Sequence, residues 1–229
     1  MAARQFCRRA IMSNTVLSTS DISMRWPDHR VELPAVQVNA GEVLGIMGPS
    51  GSGKSTLLRW LIGEQQHFVR TAGSIFVDGV SVERLPVEQR KIGILFQDVL
   101  LFPHLNVLDN LRFGLPAEQR ALSAAEQTEW VMEQLRAIQM SKYATAAVTS
   151  LSGGQRARIG LLRALLNKPR VMLLDEPFAA LDARLRARIR EWTYSQLAEQ
   201  DVATIVVSHD QDDIPADANK LYWPEARDV

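Results

Sequence analysis

Residues 48 to 56 read GPSGSGKST, and the segments on either side leave that stretch few architectures to belong to. Before it, VLGIM at 43 to 47 is a short apolar run of strand type; after it, Leu57 to Ile62 are apolar and helix-compatible up to Gly63. Strand, glycine loop and helix in that order, with Gly48 to Ser55 matching G-x-x-x-x-G-K-[ST], describe a phosphate cradle. The glycines let backbone N–H groups converge on phosphate oxygens, and a helix beginning near Lys54 adds its positive dipole end. Pro49, Ser50, Gly51, Ser52, Gly53 and Thr56 complete the cradle, Lys54 reaches the β- and γ-phosphates, and Ser55 offers a hydroxyl to Mg2+. A glycine turn that merely joins strand to helix is the plainer alternative; against it stands the flanking context the motif demands.

Two later runs, VMLL at 171 to 174 and ATIVV at 203 to 207, are continuously apolar, as parallel strands buried on both faces are. They end in Asp175-Glu176 and Ser208-His209, and in open parallel sheets ligands collect beyond the carboxyl ends of the strands. Three strand ends therefore converge on one site. Asp175 has the form of the second metal anchor a phosphate cradle needs. Glu176 leaves the strand end in a different direction, where it can face a water beyond the γ-phosphate, which points to hydrolysis. A lone histidine at a strand end is commonly structural; beside those carboxylates His209 can contact the γ-phosphate or position Glu176.

The expected class is α/β, with a parallel-sheet core in 14–97 and 151–229. Residues 14–46 and 73–80 alternate with period two and carry turn residues, which predicts an antiparallel β layer beside that core. The stretch 98–150 reads as a helical insertion, with a capping box at Ser123 and Glu126 and then Trp130, Val131, Leu135 and Ile138 at helical spacing. Residues 1–13 lack the apolar core and cleavage site of a signal peptide and read as a frayed tail. Arg184, Arg186, Arg188 and Arg190 read as a solvated, salt-linked helix face.

Composition narrows the function classes. Acidic and basic residues balance at 26 each, so there is no global positive field for a nucleic-acid partner. The single cysteine, Cys7, has no disulfide partner and fits a reducing compartment. Apolar runs are too short and broken to span a bilayer.

One stretch remains: TSLSGGQRAR at 149 to 158, a second glycine-rich segment before an arginine-bearing helix. Gly48 to Thr56, Gln97, LSGGQ at 151 to 155, VMLLDE at 171 to 176, ALD at 180 to 182 and His209 together resemble the nucleotide-binding subunit of ABC transporters. LFPHLNVLDNLRFGL at 101 to 115 resembles the ATPase subunits of bacterial importers. The resemblance implies that Ser152, Gly153, Gly154 and Gln155 bind the γ-phosphate of ATP held by an opposite copy, a head-to-tail homodimer completing two sites. The chemistry is sound, because a hydroxyl, glycine N–H groups and a helix N-terminus make an anion site without lysine or metal. A plain helix cap at Ser152 is the alternative.

By the same matching Gln97 touches Mg2+ or the attacking water, Asp182 lies at the dimer interface, and Trp26 stacks on adenine. The implied subunit hydrolyses ATP on the cytoplasmic face of the inner membrane as a peripheral partner of integral permease subunits, joined by a solute-binding protein. Coupling would run through a groove lined by residues 97 to 114. After His209 the chain is shorter than the family pattern, which leaves a last strand unassigned and removes a regulatory C-terminal domain from the expectation. Two other readings compete with this one. A soluble ABC-type ATPase acting on nucleic acid or ribosomes would carry fused nucleotide domains, coiled-coil insertions or zinc modules. A simple P-loop kinase or switch would leave LSGGQ and His209 unexplained.

Overall fold

The computed structural model describes residues 14–64 and 66–228; the amino-terminal tail and Cys7 lie outside the described residues. Four strands come first, β1 (Thr15–Thr19), β2 (Ile22–Arg25), β3 (His29–Leu33) and β4 (Gln37–Asn39). They lead into β5 (Val43–Met47) and helix α1 (Lys54–Ile62), followed by β6 (Arg70–Ala72), β7 (Ile75–Val77), β8 (Val80–Ser81) and β9 (Ile92–Leu95). Helices α2 (Val107–Phe113), α3 (Ala117–Arg120) and α4 (Ala124–Ala137) fill the insertion, and α5 (Gly153–Leu166) returns the chain to the sheet. The remainder runs β10 (Val171–Asp175), α6 (Ala183–Glu199), β11 (Ala203–Ser208), β12 (Asn219–Tyr222) and β13 (Arg227–Asp228).

The centre is a five-stranded parallel sheet in the order β12-β5-β11-β10-β9. Its register aligns the strand ends: Ser208 is level with Met47, Asp175 with Val207, and Leu174 with Leu95. The glycine loop, His209, Glu176 and Gln97 therefore leave the sheet side by side along one edge. Two antiparallel sheets, β4-β1-β7-β8 and β13-β3-β2-β6, form the expected β layer.

Alternation along each central strand divides the interior in two. Ile46, Val171, Leu173, Ile205 and Val207 pack with Leu57, Leu58 and Leu61 of α1 and with Leu17, Met24 and Val31 of the β layer. Met172, Leu174 and Val206 face the other way, into a cluster shared by Ile159 and Leu162 of α5 and Leu111, Val131 and Leu135 of the insertion. Both faces are covered, which is why the strands read as unbroken apolar runs. At about 1.5–3 kcal/mol for each large side chain fully buried, this covering dominates the favourable side of folding.

The insertion is helical as its spacing predicts. Ser123 and Glu126 form the capping box of α4, and Val131, Leu135 and Ile138 are fully buried on one stripe. Two core strands escaped the sequence reading. Strand β9 has four residues, one of them Gly93, and β12 reads NKLY with three exposed positions because it sits at the sheet edge with β5 as its one neighbour. Strand β12 is the last strand left unassigned above, and beyond it the backbone of β13 pairs with β3, tying the central sheet to the β layer.

Candidate active site

The glycine loop turns through left-handed positions at Gly51 and Gly53, with φ of 75° and 103°. Such a φ is strained for any residue with a Cβ, and a Cβ at Gly53 would also come within 2.8 Å of Trp26. Helix α1 then begins with no capping side chain and no acidic residue in its first turn, so its N–H groups and dipole are unopposed. Lys54 is buried, and its Nζ donates to the carbonyls of Gly48 at 2.8 Å and Pro49 at 2.6 Å. Burial lowers the pKa of its ammonium, while the negative charges of Glu176 and Asp175 pull it back up.

Asp175 closes β10 in a buried position. Burial pushes its carboxyl above the ordinary aspartate range, the facing Ser55 hydroxyl draws it back, and Glu176 adds to the rise. Its Oδ1 is buried without a hydrogen-bond partner. An orphaned carboxylate oxygen beside a hydroxyl is an oxygen-only donor set, which fits a hard divalent cation such as Mg2+.

Glu176 sits at φ 47°, a left-handed conformation uncommon for a residue with a side chain and typical of strained functional positions. Its amide is anchored to the carbonyl of Val207 at 3.0 Å, and its carboxylate turns across the sheet edge to β11. There Oε1 accepts from the backbone N–H of His209 at 3.2 Å and lies 2.9 Å from His209 Nδ1, while Oε2 is 3.3 Å from Ser208 Oγ. The Glu176 side chain is 11% exposed and that of His209 59%. With Nδ1 donating to the carboxylate, Nε2 can donate to a phosphate only from a doubly protonated ring. Of the two tasks expected for His209, positioning Glu176 is the one visible in these contacts.

Gln97 is exposed and lines, with Glu176 and Gly153, a cleft of about 450 Å3 between the sheet edge and α5. Ser152 is exposed too. It caps α5, accepting from Gln155 N–H at 3.3 Å while Gln155 Oε1 accepts from Ser152 N–H at 2.8 Å. The cap does not use up the hydroxyl, because an oxygen that accepts one bond still carries a proton to donate. Asp182 is exposed and caps α6 through Leu185 N–H at 3.0 Å. Trp26 stacks on His29 with ring centroids 4.6 Å apart and an interplanar angle of 8°.

Two features went unread in the sequence. Trp223 follows β12, donates its backbone N–H to the Met47 carbonyl, and packs its side chain against Gly48 and Gly53, so that two tryptophans, Trp26 and Trp223, flank the loop at Gly53. No motif marks it; contact across the sheet edge does. The arginine face of α6 also needs correction. Arg184 and Arg188 are exposed as expected, but helical spacing turns Arg186 and Arg190 together towards residues 210 to 213. Arg186 grips the fully buried Asp213 through Nε at 2.8 Å and Nη2 at 2.5 Å, and Arg190 donates to the carbonyl of Asp212.

Residues 33–179 match the family described as ABC transporter. The Escherichia coli protein named uncharacterized ABC transporter ATP-binding protein YnjD is 39% identical over 92% of this chain and 97% of its own length. The sulfate/thiosulfate import ATP-binding protein CysA of Bacillus cereus is 41% identical over 78% of this chain, which spans half of that relative. Among solved structures, the dimeric post-hydrolysis state of an ATP-binding cassette bound to ADP and Pi superposes with a TM-score of 0.73 at 27% identity, covering 93% of this chain and 98% of the other. A second dimeric structure, of a bacterial ABC transporter cassette, gives a TM-score of 0.74 at 28% identity over 90% and 94%.

Proposed function

The chain belongs to the ABC transporter family as an ATP-hydrolysing, ATP-binding subunit, and on that premise we propose how its own residues divide the work. ATP phosphates lie in the loop from Gly48 to Thr56, Lys54 leaving the Gly48 and Pro49 carbonyls for the β- and γ-oxygens. Trp26 receives the adenine on a ring already fixed by His29. Ser55, Asp175 and Gln97 hold Mg2+, which supplies charge neutralisation of the phosphate oxygens. Glu176 orients and deprotonates the attacking water, a role worth roughly 10²- to 10⁴-fold in rate. His209 keeps its carboxylate in place.

The observation that carries this reading is the register of the central sheet, which lines up the lysine loop, the orphaned Asp175 oxygen and the Glu176–His209 pair along one edge. Family members form dimers and work with membrane subunits. For this chain the pairing is head to tail, Ser152, Gly153, Gly154 and Gln155 of one copy closing over ATP held by the other, with Asp182 at the seam. Exposure of the Ser152 segment is what such pairing requires. Among the described residues no helix is long and apolar enough to cross a membrane. Transport runs through separate integral subunits, as in the family the chain belongs to. Leu100 and Phe113, 68% and 67% exposed on the 97–114 stretch, offer those subunits an apolar foothold. The import relatives support uptake as the direction, on the cytoplasmic face of the membrane, with a solute-binding protein outside.

The test is Glu176→Gln. It keeps the shape and removes the base, so ATP turnover should fall by about 100-fold or more while ATP holds two copies together on a sizing column. A variant that stays monomeric in ATP and turns over normally overturns the assignment.

A further inference from the structure

Behind Glu176 lies a buried polar network that hydrolysis itself does not call for. Ser208 Oγ is fully buried and accepts from Asp210 N–H at 3.1 Å. It has two carboxylate neighbours, Asp213 Oδ2 at 2.9 Å and Glu176 Oε2 at 3.3 Å. A serine hydroxyl has one proton, so it can serve one of these acceptors at a time. Which of them it serves depends on how well the other is satisfied elsewhere.

Asp213 is satisfied by Arg186, whose fork meets both of its oxygens, and Arg186 also reaches Asp210 at 3.0 Å. Tyr194 of the same helix donates to the Asp213 backbone carbonyl at 2.7 Å. Arg186 sits one helical turn after Asp182, at the exposed start of α6. Resting on the assignment of Glu176 as the base, we infer that Ser208 is a positioning residue for Glu176 and that Arg186 governs it. In this structure the hydroxyl lies nearer Asp213 than Glu176, 2.9 Å against 3.3 Å; the charge Arg186 brings to Asp213 weakens that carboxylate's claim and lets the single Ser208 proton turn to Glu176 Oε2. If Arg186 loosens its grip, the proton goes to Asp213 and Glu176 loses a support. The start of α6 is thereby linked to the set of the water-activating carboxylate through one hydroxyl.

Ser208→Ala tests this without removing a charge. ATP turnover should drop about tenfold while the KM for ATP changes less than about twofold, since the hydroxyl supports the base and not the nucleotide. Arg186→Lys keeps a positive charge beside buried Asp213 but loses the two-pronged contact, and should lower turnover by roughly threefold to fivefold. The decisive measurement is the combined variant, which should be no slower than Ser208→Ala alone, because both changes act through the same proton. Losses that multiply, or Ser208→Ala at full speed, overturn the link. Glu176→Gln run alongside separates the two ideas. If it is inactive and Ser208→Ala is normal, the network alone is wrong; if Glu176→Gln is active, the base assignment beneath it fails.

Discussion

Gly53 and Gly153 each stand at the start of a helix, yet a side chain added at the first would collide with Trp26 and press on Trp223, while one added at the second would meet nothing within 4 Å. The difference runs through both segments. The loop at 48–56 is finished inside the chain, with its lysine buried against its own carbonyls and two tryptophans along its flank. The segment at 151–155 rests on a buried Leu151 and exposes Ser152 and Gly153; it is capped by its own Ser152 and Gln155 and supplied with neither lysine nor carboxylate. One region is shaped by packing it already has. The other keeps its shape while its polar groups face outwards, as a surface that meets a ligand carried by something else must.

The largest effects should separate binding from turnover across these two regions. Lys54→Ala removes the charge-assisted contacts of the finished half, so ATP affinity measured by equilibrium dialysis should fall about 100-fold. Unchanged affinity would mean that the loop is a turn and not a cradle. Ser152→Arg should do the reverse: ATP affinity of the single chain stays within about twofold, while turnover falls roughly 50-fold because a bulky cation blocks the approach of a second copy. Losing the cap itself costs about 1 kcal/mol, a melting-point shift of roughly 2–4 °C that leaves the chain folded. Full turnover in this variant would remove the reason for treating the two regions as halves of one site.

The contrast was legible in the sequence to different depths. Lys54, Asp175, Glu176 and His209 could be found because each follows an apolar run whose register a parallel sheet then fixes. The capping box of α4 and the buried stripe of Val131, Leu135 and Ile138 were equally readable, since spacing along one helix decides them. What escaped depends on contacts between distant segments. Trp223 matters through the backbone it touches, Arg186 is distinguished from Arg184 only by what lies opposite it, and β9 and β12 are too short and too little apolar to announce themselves. The position of Gln97 across the cleft from Glu176 likewise follows from β9, a strand the pattern alone did not supply.

A smaller effect tests the flank of the finished half. Trp26 is held flat against His29, so its loss should weaken ATP and GTP alike by about tenfold, stacking being tolerant of the base it meets. A loss confined to ATP would require a base-specific contact in place of a platform.

The smallest expected effect is the sharpest, because it sets folding against function at a single atom. Gly153→Ala introduces a methyl group into open space at the first turn of α5, in a position where φ is not left-handed. Replacing glycine by alanine inside a helix stabilises it by roughly 0.5 kcal/mol, and the melting point should rise slightly. Among the described residues nothing lies close enough to oppose that gain. If the bare backbone serves the close approach of a phosphate held by another copy, the same methyl group should slow turnover by about threefold to tenfold without touching ATP affinity. A variant that is both more stable and fully active would remove Gly153 from the working part of the segment, and that glycine would have no task that packing or chemistry can name.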